Sequence, residues 1–135
     1  MLIIKSMHSL LLLPPIKSTH GLAYILVCVK QLSKSCAIYQ QSNKGNYIAL
    51  SAPGVGILAP GANGSYGVSS GTSLSTAYVS GIAALIMSAG NQPNRDRVEQ
   101  ILTGSTTDLG DPGRDDVFGA GIPNAEKALQ SLNGS

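Results

Sequence analysis

The run from Ser69 to Ile86, SSGTSLSTAYVSGIAALI, constrains the fold more than any other part of the chain. After the Gly71-Thr72-Ser73 turn, nearly every position to Ala89 is small or apolar, including Ala77, Val79, Ile82, Ala83, Leu85 and Ile86. Apolar residues spread around a helix leave it no solvent face, so a helix from about Thr72 to Ala89 is expected at the centre of a domain. Gly81 in its middle costs about 1 kcal/mol relative to Ala. A buried helix keeps such a residue where another backbone must approach closely, and Gly90 suits the cap that ends it. A chain of 135 residues has room for one domain with a modest core. Aromatic residues make up 4%, with no Trp and one Phe, so the core must be built from Ala, Val, Ile and Leu.

Other elements are punctuated by turn formers. Tyr47 to Ala52 is strand-like and is stopped by Pro53-Gly54. Val55–Leu58 and Ser65–Ser69 flank a Pro-Gly and an Asn-Gly, which predicts an antiparallel hairpin feeding the Ser69–Ser73 turn. A second helix begins near Asn94, with the Asn as cap, Asp96 in the first turn and a stripe of Val98, Ile101 and Leu102. Asp108 to Gly121 reads as a loop with a short extended piece. A third helix follows Asn124, with Ala128 and Leu129 facing inward. Gly21–Val29 is apolar over nine residues and reads as a buried strand or short helix, well below the roughly 20 residues a membrane span needs.

Charge and cysteine exclude several functions. Residues 1–95 hold six basic and no acidic residues, whereas 96–135 hold seven acids against three bases. The basic residues are scattered singly and lack interleaved aromatics, which argues against a nucleic-acid surface. Cys28 and Cys36 stand eight apart, matching neither CxxC nor a zinc pattern; two buried thiols are the expectation and a disulfide the alternative, which leaves the compartment open. No cofactor is expected, since the Ala-Pro-Gly and Gly-rich turns carry no phosphate-loop signature; no metal-ligating residue is singled out, and calcium binding stays open. Leu10–Leu13 ends at Pro14-Pro15 and is too short for a signal-peptide core, and no transmembrane segment is expected.

Ser73 carries the chemistry. In the first turn of a helix its own N–H has no intrahelical partner, and the helix terminus favours a developing oxyanion. A cap would also place Ser or Thr here, so Gly-Thr-Ser alone decides nothing. The surroundings do. Gly71, Thr72, Ser73, Ser75, Ala77, Val79, Ser80 and Gly81 resemble the serine motif of the subtilisin-like serine proteases, the subtilases. Ala77 stands where the family usually has Pro, and Tyr78 where it often has His. SNKGNYIALSAPGVGIL resembles the family's segment before the serine. LTGSTTDLGDPGRDDVFGAGIPNAEKAL resembles its C-terminal segment, a Gly-x-Gly strand leading into a helix with an Ala. The competing serine motifs fail, because G-x-S-x-G would need Gly at Ser75 and S-x-x-K would need Lys at Thr76.

The resemblance implies an α/β partial subtilisin-like fold, a parallel-sheet core with a buried central helix after a β-hairpin. It assigns 42–135 to the C-terminal portion of a subtilase catalytic domain and leaves 1–41 an unassigned N-terminal stretch. It also implies a serine endopeptidase acting on peptide or protein substrates, with Ser73 as nucleophile. A subtilase needs an Asp, a His and an oxyanion Asn upstream of the serine. No Asp or Glu precedes Ser73, and no Ala-Gly-Asn segment does. His20 opens His-Gly-Leu-Ala, lacks the family's following Thr, and lies only 53 residues before Ser73, so it reads as a loop histidine. The chain alone is therefore expected to be inactive, as a fragmented or frame-disturbed gene would leave it, with the missing Asp and His supplied by a separate chain. The alternative is a non-catalytic remnant or interaction module. Either way, one side of the helix or sheet is expected to stay exposed, with Tyr47–Ala52 as an unpaired strand edge.

Overall fold

The computed structural model describes residues 29–33, 44–89 and 93–133. Cys28, Cys36, His8, His20, the Leu10–Leu13 run, most of Gly21–Val29 and the cap expected at Gly90 lie outside them. Strand β1 (Val29–Leu32) pairs in parallel with β2 (Leu50–Pro53), in a register that sets Val29 against Leu50 and Leu32 against Pro53. Strand β2 starts at Leu50 rather than Tyr47 because the chain turns before it, with Ile48 N donating to Gly45 O at 3.0 Å. The hairpin follows as β3 (Ile57–Pro60) and β4 (Tyr66–Ser69), antiparallel, closed through a 3-10 turn at Ala62–Gly64 where Asn63 takes φ 58. Helices α1 (Thr72–Ala89) and α2 (Arg95–Gly104) come next. The short antiparallel pair β5 (Thr106–Thr107) and β6 (Ile122–Pro123) leads into α3 (Ala125–Asn133).

The segment expected as an open edge is paired on both sides. Opposite β1, Ser51 N donates to Gly121 O at 3.0 Å and Ala120 N donates to Ala49 O at 2.9 Å. This pairing depends on two glycines. Gly119 and Gly121 adopt φ +65 and +99, and a Cβ on either would run into the backbone of Ala49 or Thr107. A partner that arrives from some 70 residues downstream leaves no local trace in Tyr47–Ala52.

The core lies between the β1–β2 pair and the three helices, and it is aliphatic throughout. Leu50, Ala52, Val79, Ile82, Ala83, Ile86, Val98, Ile101, Leu102 and Ala128 form one cluster. Both smaller helices are amphipathic and capped by asparagine. Arg97 N donates to Asn94 Oδ1 at 2.9 Å, and Lys127 N donates to Asn124 Oδ1 at 3.0 Å. Leu129, expected inward with Ala128, is half-buried.

Helix α1 is central but covered on one side. Ser75, Val79, Ile82, Ala83 and Ile86 face the sheet and the other helices. Ser73, Ala77, Tyr78, Gly81, Ala84, Leu85 and Ser88 face away and are exposed. Gly81 thus differs from expectation. A Cβ built there meets nothing within 4 Å, so no backbone among the described residues approaches it. It stands on the outward side, where sheet and helices do not reach.

Candidate functional site

The serine motif is anchored by the end of β2. Gly71 N donates to Gly54 O at 2.8 Å, which ties the turn before α1 to the Ala-Pro-Gly segment. One turn into the helix, Ser75 Oγ donates to Ala52 O at 3.1 Å from a fully buried position. The same Gly54 carbonyl accepts from Gln31 Nε2 of β1 at 2.9 Å, while Gly54 N and Val55 N both donate to Leu32 O, at 2.9 and 3.1 Å. Three segments therefore converge on Gly54. No side chain fits there, because a Cβ would collide with Ser75 Oγ and sit 2.7 Å from Gln31 Cγ and 2.9 Å from the Gly71 carbonyl oxygen.

This clamp positions Ser73. It is the second residue of α1, exposed, with Leu74 N closing the turn onto Gly71 O at 3.0 Å. Neither the N–H nor the hydroxyl of Ser73 has a hydrogen-bond partner among the described residues. The first turn holds no acidic residue. An outward-facing hydroxyl beside free N–H donors at the positive end of an 18-residue helix is a geometry that receives an oxyanion. Ser70, two residues before the helix, is used structurally, its Oγ accepting from Gly56 N at 2.9 Å and tying the hairpin to the turn.

No general base stands beside this serine among the described residues, which contain no histidine. All seven acids lie from Asp96 onward, and no metal-holding cluster of His, Cys, Asp or Glu occurs among the described residues. Asp115 shapes a loop, its Oδ1 accepting from Val117 N at 2.6 Å and Phe118 N at 2.7 Å. Arg114 binds the loop to the approach of β2 through the carbonyls of Asn46 and Ile48, at 2.6 and 3.0 Å. Sequence reasoning singled out Ser73 but gave no role to Gln31, Gly54 or Ser75 as its supports. Ala-Pro-Gly was visible as a motif, whereas Gln31 carried no signal at all.

A parallel strand pair backed by a helix that presents a serine at its N-terminus defines an α/β unit of the kind that carries a hydrolase nucleophile. The chain belongs to the subtilase family, whose model matches residues 18–121. That span begins upstream of the quoted motifs and includes β1. Subtilisin E of Bacillus subtilis is 35% identical over 89 residues, 66% of this chain and 23% of the relative. A thermostable alkaline protease of Halalkalibacterium halodurans is 34% identical, covering 66% of this chain and 24% of its own length. An extracellular serine protease of Serratia marcescens is also 34% identical over 66% of this chain, but only 8% of the relative. Among solved structures, a protease from Pseudoalteromonas arctica superposes with TM-score 0.70 at 30% identity, over 79% of this chain and 36% of that one. A lanthipeptide protease gives 0.68 at 31%, over 79% and 41%. The chain thus has a partial subtilisin-like fold and spans about a quarter or less of these three relatives.

Proposed function

We propose that this chain is the nucleophile-bearing portion of a subtilisin-like serine endopeptidase, with Ser73 as the nucleophile. The observation that carries the reading is the clamp at Gly54, which holds an exposed, unbonded serine in the first turn of α1. In the reaction, Ser73 Oγ attacks the scissile carbonyl of a peptide as a base takes its proton. The carbonyl oxygen becomes an oxyanion that the Ser73 N–H and the helix terminus stabilise. Collapse of the tetrahedral species expels the amine, protonated by the same base, and leaves an acyl-enzyme that water hydrolyses. The base, the acid that orients it and the second oxyanion donor belong to segments upstream of the serine in this family's order. No acid precedes Ser73 here. The chain alone is therefore inactive.

Two measurements test this. A fluorophosphonate probe is expected to leave the purified chain unlabelled, and strong labelling lost in Ser73→Ala would overturn the inactivity. A chimera carrying residues 44–133 in place of the matched segment of subtilisin E is expected to cleave peptide substrates and to lose activity on Ser73→Ala. A folded chimera without activity would overturn the assignment of Ser73.

A further inference from the structure

The turn that joins β3 to β4 carries a reactive pair that the reading of Ser73 does not use. Asn63 is followed by Gly64, and the run 61–70 is exposed throughout. Asn63 stands at φ 58 and ψ 34, and Gly64 at φ +72. The turn is closed at its ends, by Gly61 N donating to Ser65 O at 2.8 Å and Ser65 N to Ala62 O at 3.3 Å. The Asn63 carboxamide has no hydrogen-bond partner among the described residues. A Cβ built on Gly64 meets nothing within 4 Å, so the described chain leaves the space beside it open. The other described asparagines differ. Asn94 and Asn124 commit Oδ1 to helix caps, accepting from Arg97 N and Lys127 N. These two and Asn46 also precede Arg95, Ala125 and Tyr47, whose side chains crowd the following amide. Asn133 precedes a glycine too, but Gly134 lies outside the described residues.

We propose that Asn63-Gly64 is a self-modifying site, where the side-chain amide becomes a carboxylate through a cyclic imide. Gly64 N, losing its proton to a base in solvent, attacks Asn63 Cγ. The new N–Cγ bond closes a five-membered ring, and the side-chain nitrogen takes up a proton and leaves as ammonia. Water then opens the ring. Attack at Cγ breaks the new bond and leaves an aspartate. Attack at the main-chain carbonyl carbon breaks the original peptide bond and leaves an isoaspartyl link, the chain now running through Cγ. One water is consumed and one ammonia released, which is the chemistry that makes asparagine thermolabile. The rotation about ψ that brings Gly64 N onto Cγ is open, because the carboxamide is unbonded among the described residues and Gly64 carries no Cβ. Both products alter the hairpin. Residues 1–95 hold no acid, so either product is the first carboxylate in that part of the chain. The isoaspartyl form also adds a methylene to the main chain between β3 and β4, in a hairpin tied to the turn before α1 through Gly56 N and Ser70 Oγ. None of this depends on the role of Ser73.

The test incubates the purified full chain in mildly alkaline buffer, both native and in urea, and locates modified residues by peptide mass spectrometry. Isoaspartyl links are counted with a protein isoaspartyl methyltransferase and labelled S-adenosylmethionine. In the native chain Asn63 is expected to react about tenfold faster, or more, than Asn46, Asn94 and Asn124, and to become a methyl acceptor. Gly64→Ala is expected to slow the reaction about tenfold, since its Cβ crowds the attacking nitrogen. That variant also puts a side chain at φ +72, so a second measurement leaves the turn unaltered. The rate in the native chain is expected to rise with pH, as loss of the amide proton requires. Modification of Asn63 confined to the chain in urea, aspartate formed without a methyl-accepting link, or a rate indifferent to pH would each overturn the proposal. So would a capped asparagine that reacts before Asn63.

Discussion

At the scale of single residues, Gly54 and Ser75 hold the turn that carries Ser73. Gly54→Ala places a methyl group against Ser75 Oγ, Gln31 and the Gly71 carbonyl, all within 3 Å. It is expected to destabilise the chain by about 2–4 kcal/mol in chemical denaturation, as overpacking against backbone does. Ser75→Ala removes a buried hydrogen bond to Ala52 O and leaves that carbonyl without this donor, a loss of about 1–2 kcal/mol. Because Ser75 Oγ is the nearest atom to the added methyl, the double variant is expected to be less destabilised than the sum of the two, the coupling a double-mutant cycle reads. Ser73→Ala gives the contrast. Ser73 is exposed and unbonded among the described residues, so its loss is expected to move stability by less than about 0.5 kcal/mol. A clear loss would show that Ser73 acts as a cap. The family, and with it the proposal for Ser73, was legible from a string of eight matched positions. The role of Gly54 was not, because three segments meet there and only their pairing in space reveals the crowding.

At the scale of elements, legibility followed the range of the interactions that define each one. Both asparagine caps, the bounds of α1 and the hairpin were readable because cap, turn and periodicity all act within a few residues. Asn94→Ala is expected to cost α2 about 1 kcal/mol, measurable as a lowered denaturation midpoint with an unchanged slope. Strand β2 was half legible. Its apolar run was plain, but its neighbours are β1 and the Gly119–Gly121 segment, and neither pairing leaves a local sign. Gly119 tests the second pairing. Its positive φ and the closeness of the Ala49 and Ile48 carbonyls leave no room for a Cβ, so Gly119→Ala is expected to destabilise by about 2–4 kcal/mol. Hydrogen exchange is expected to quicken at the Ser51 and Ala120 amides, which bridge that pairing, before it does in α2. Equal quickening everywhere would mean that β2 and the Gly119 segment do not form a separable unit.

At the scale of the whole molecule, two apolar surfaces lie outside the core, one of them the outward side of α1 with Tyr78 and Leu85. The hairpin adds to the α1 face. Leu58 and Val68 are cross-strand partners, 67% and 73% exposed, and Tyr66 beside Pro60 is 71% exposed. None of these side chains belongs to the core cluster, and all of β4 is exposed. The two surfaces can be separated by substitution. A dye that reports exposed apolar area is expected to bind the purified chain, and binding is expected to fall when Leu58 and Val68 are both changed to Thr. Threonine keeps the β-branching that a strand favours, so the hairpin should persist, and the denaturation midpoint should stay within about 0.5 kcal/mol of the original. The outcome bears on how the fold is held. If the midpoint falls steeply with the dye signal, the hairpin is packed in solution and contributes to the core. If the dye signal falls alone, stability resides in the α1 cluster with β2, α2 and α3, and the hairpin is carried on the bonds at its base, from Gly56 to Ser70, from Gly71 to Gly54 and from Val55 to Leu32. The second result is the one the burial pattern predicts, since β3 alternates half-buried and exposed positions while β4 buries nothing.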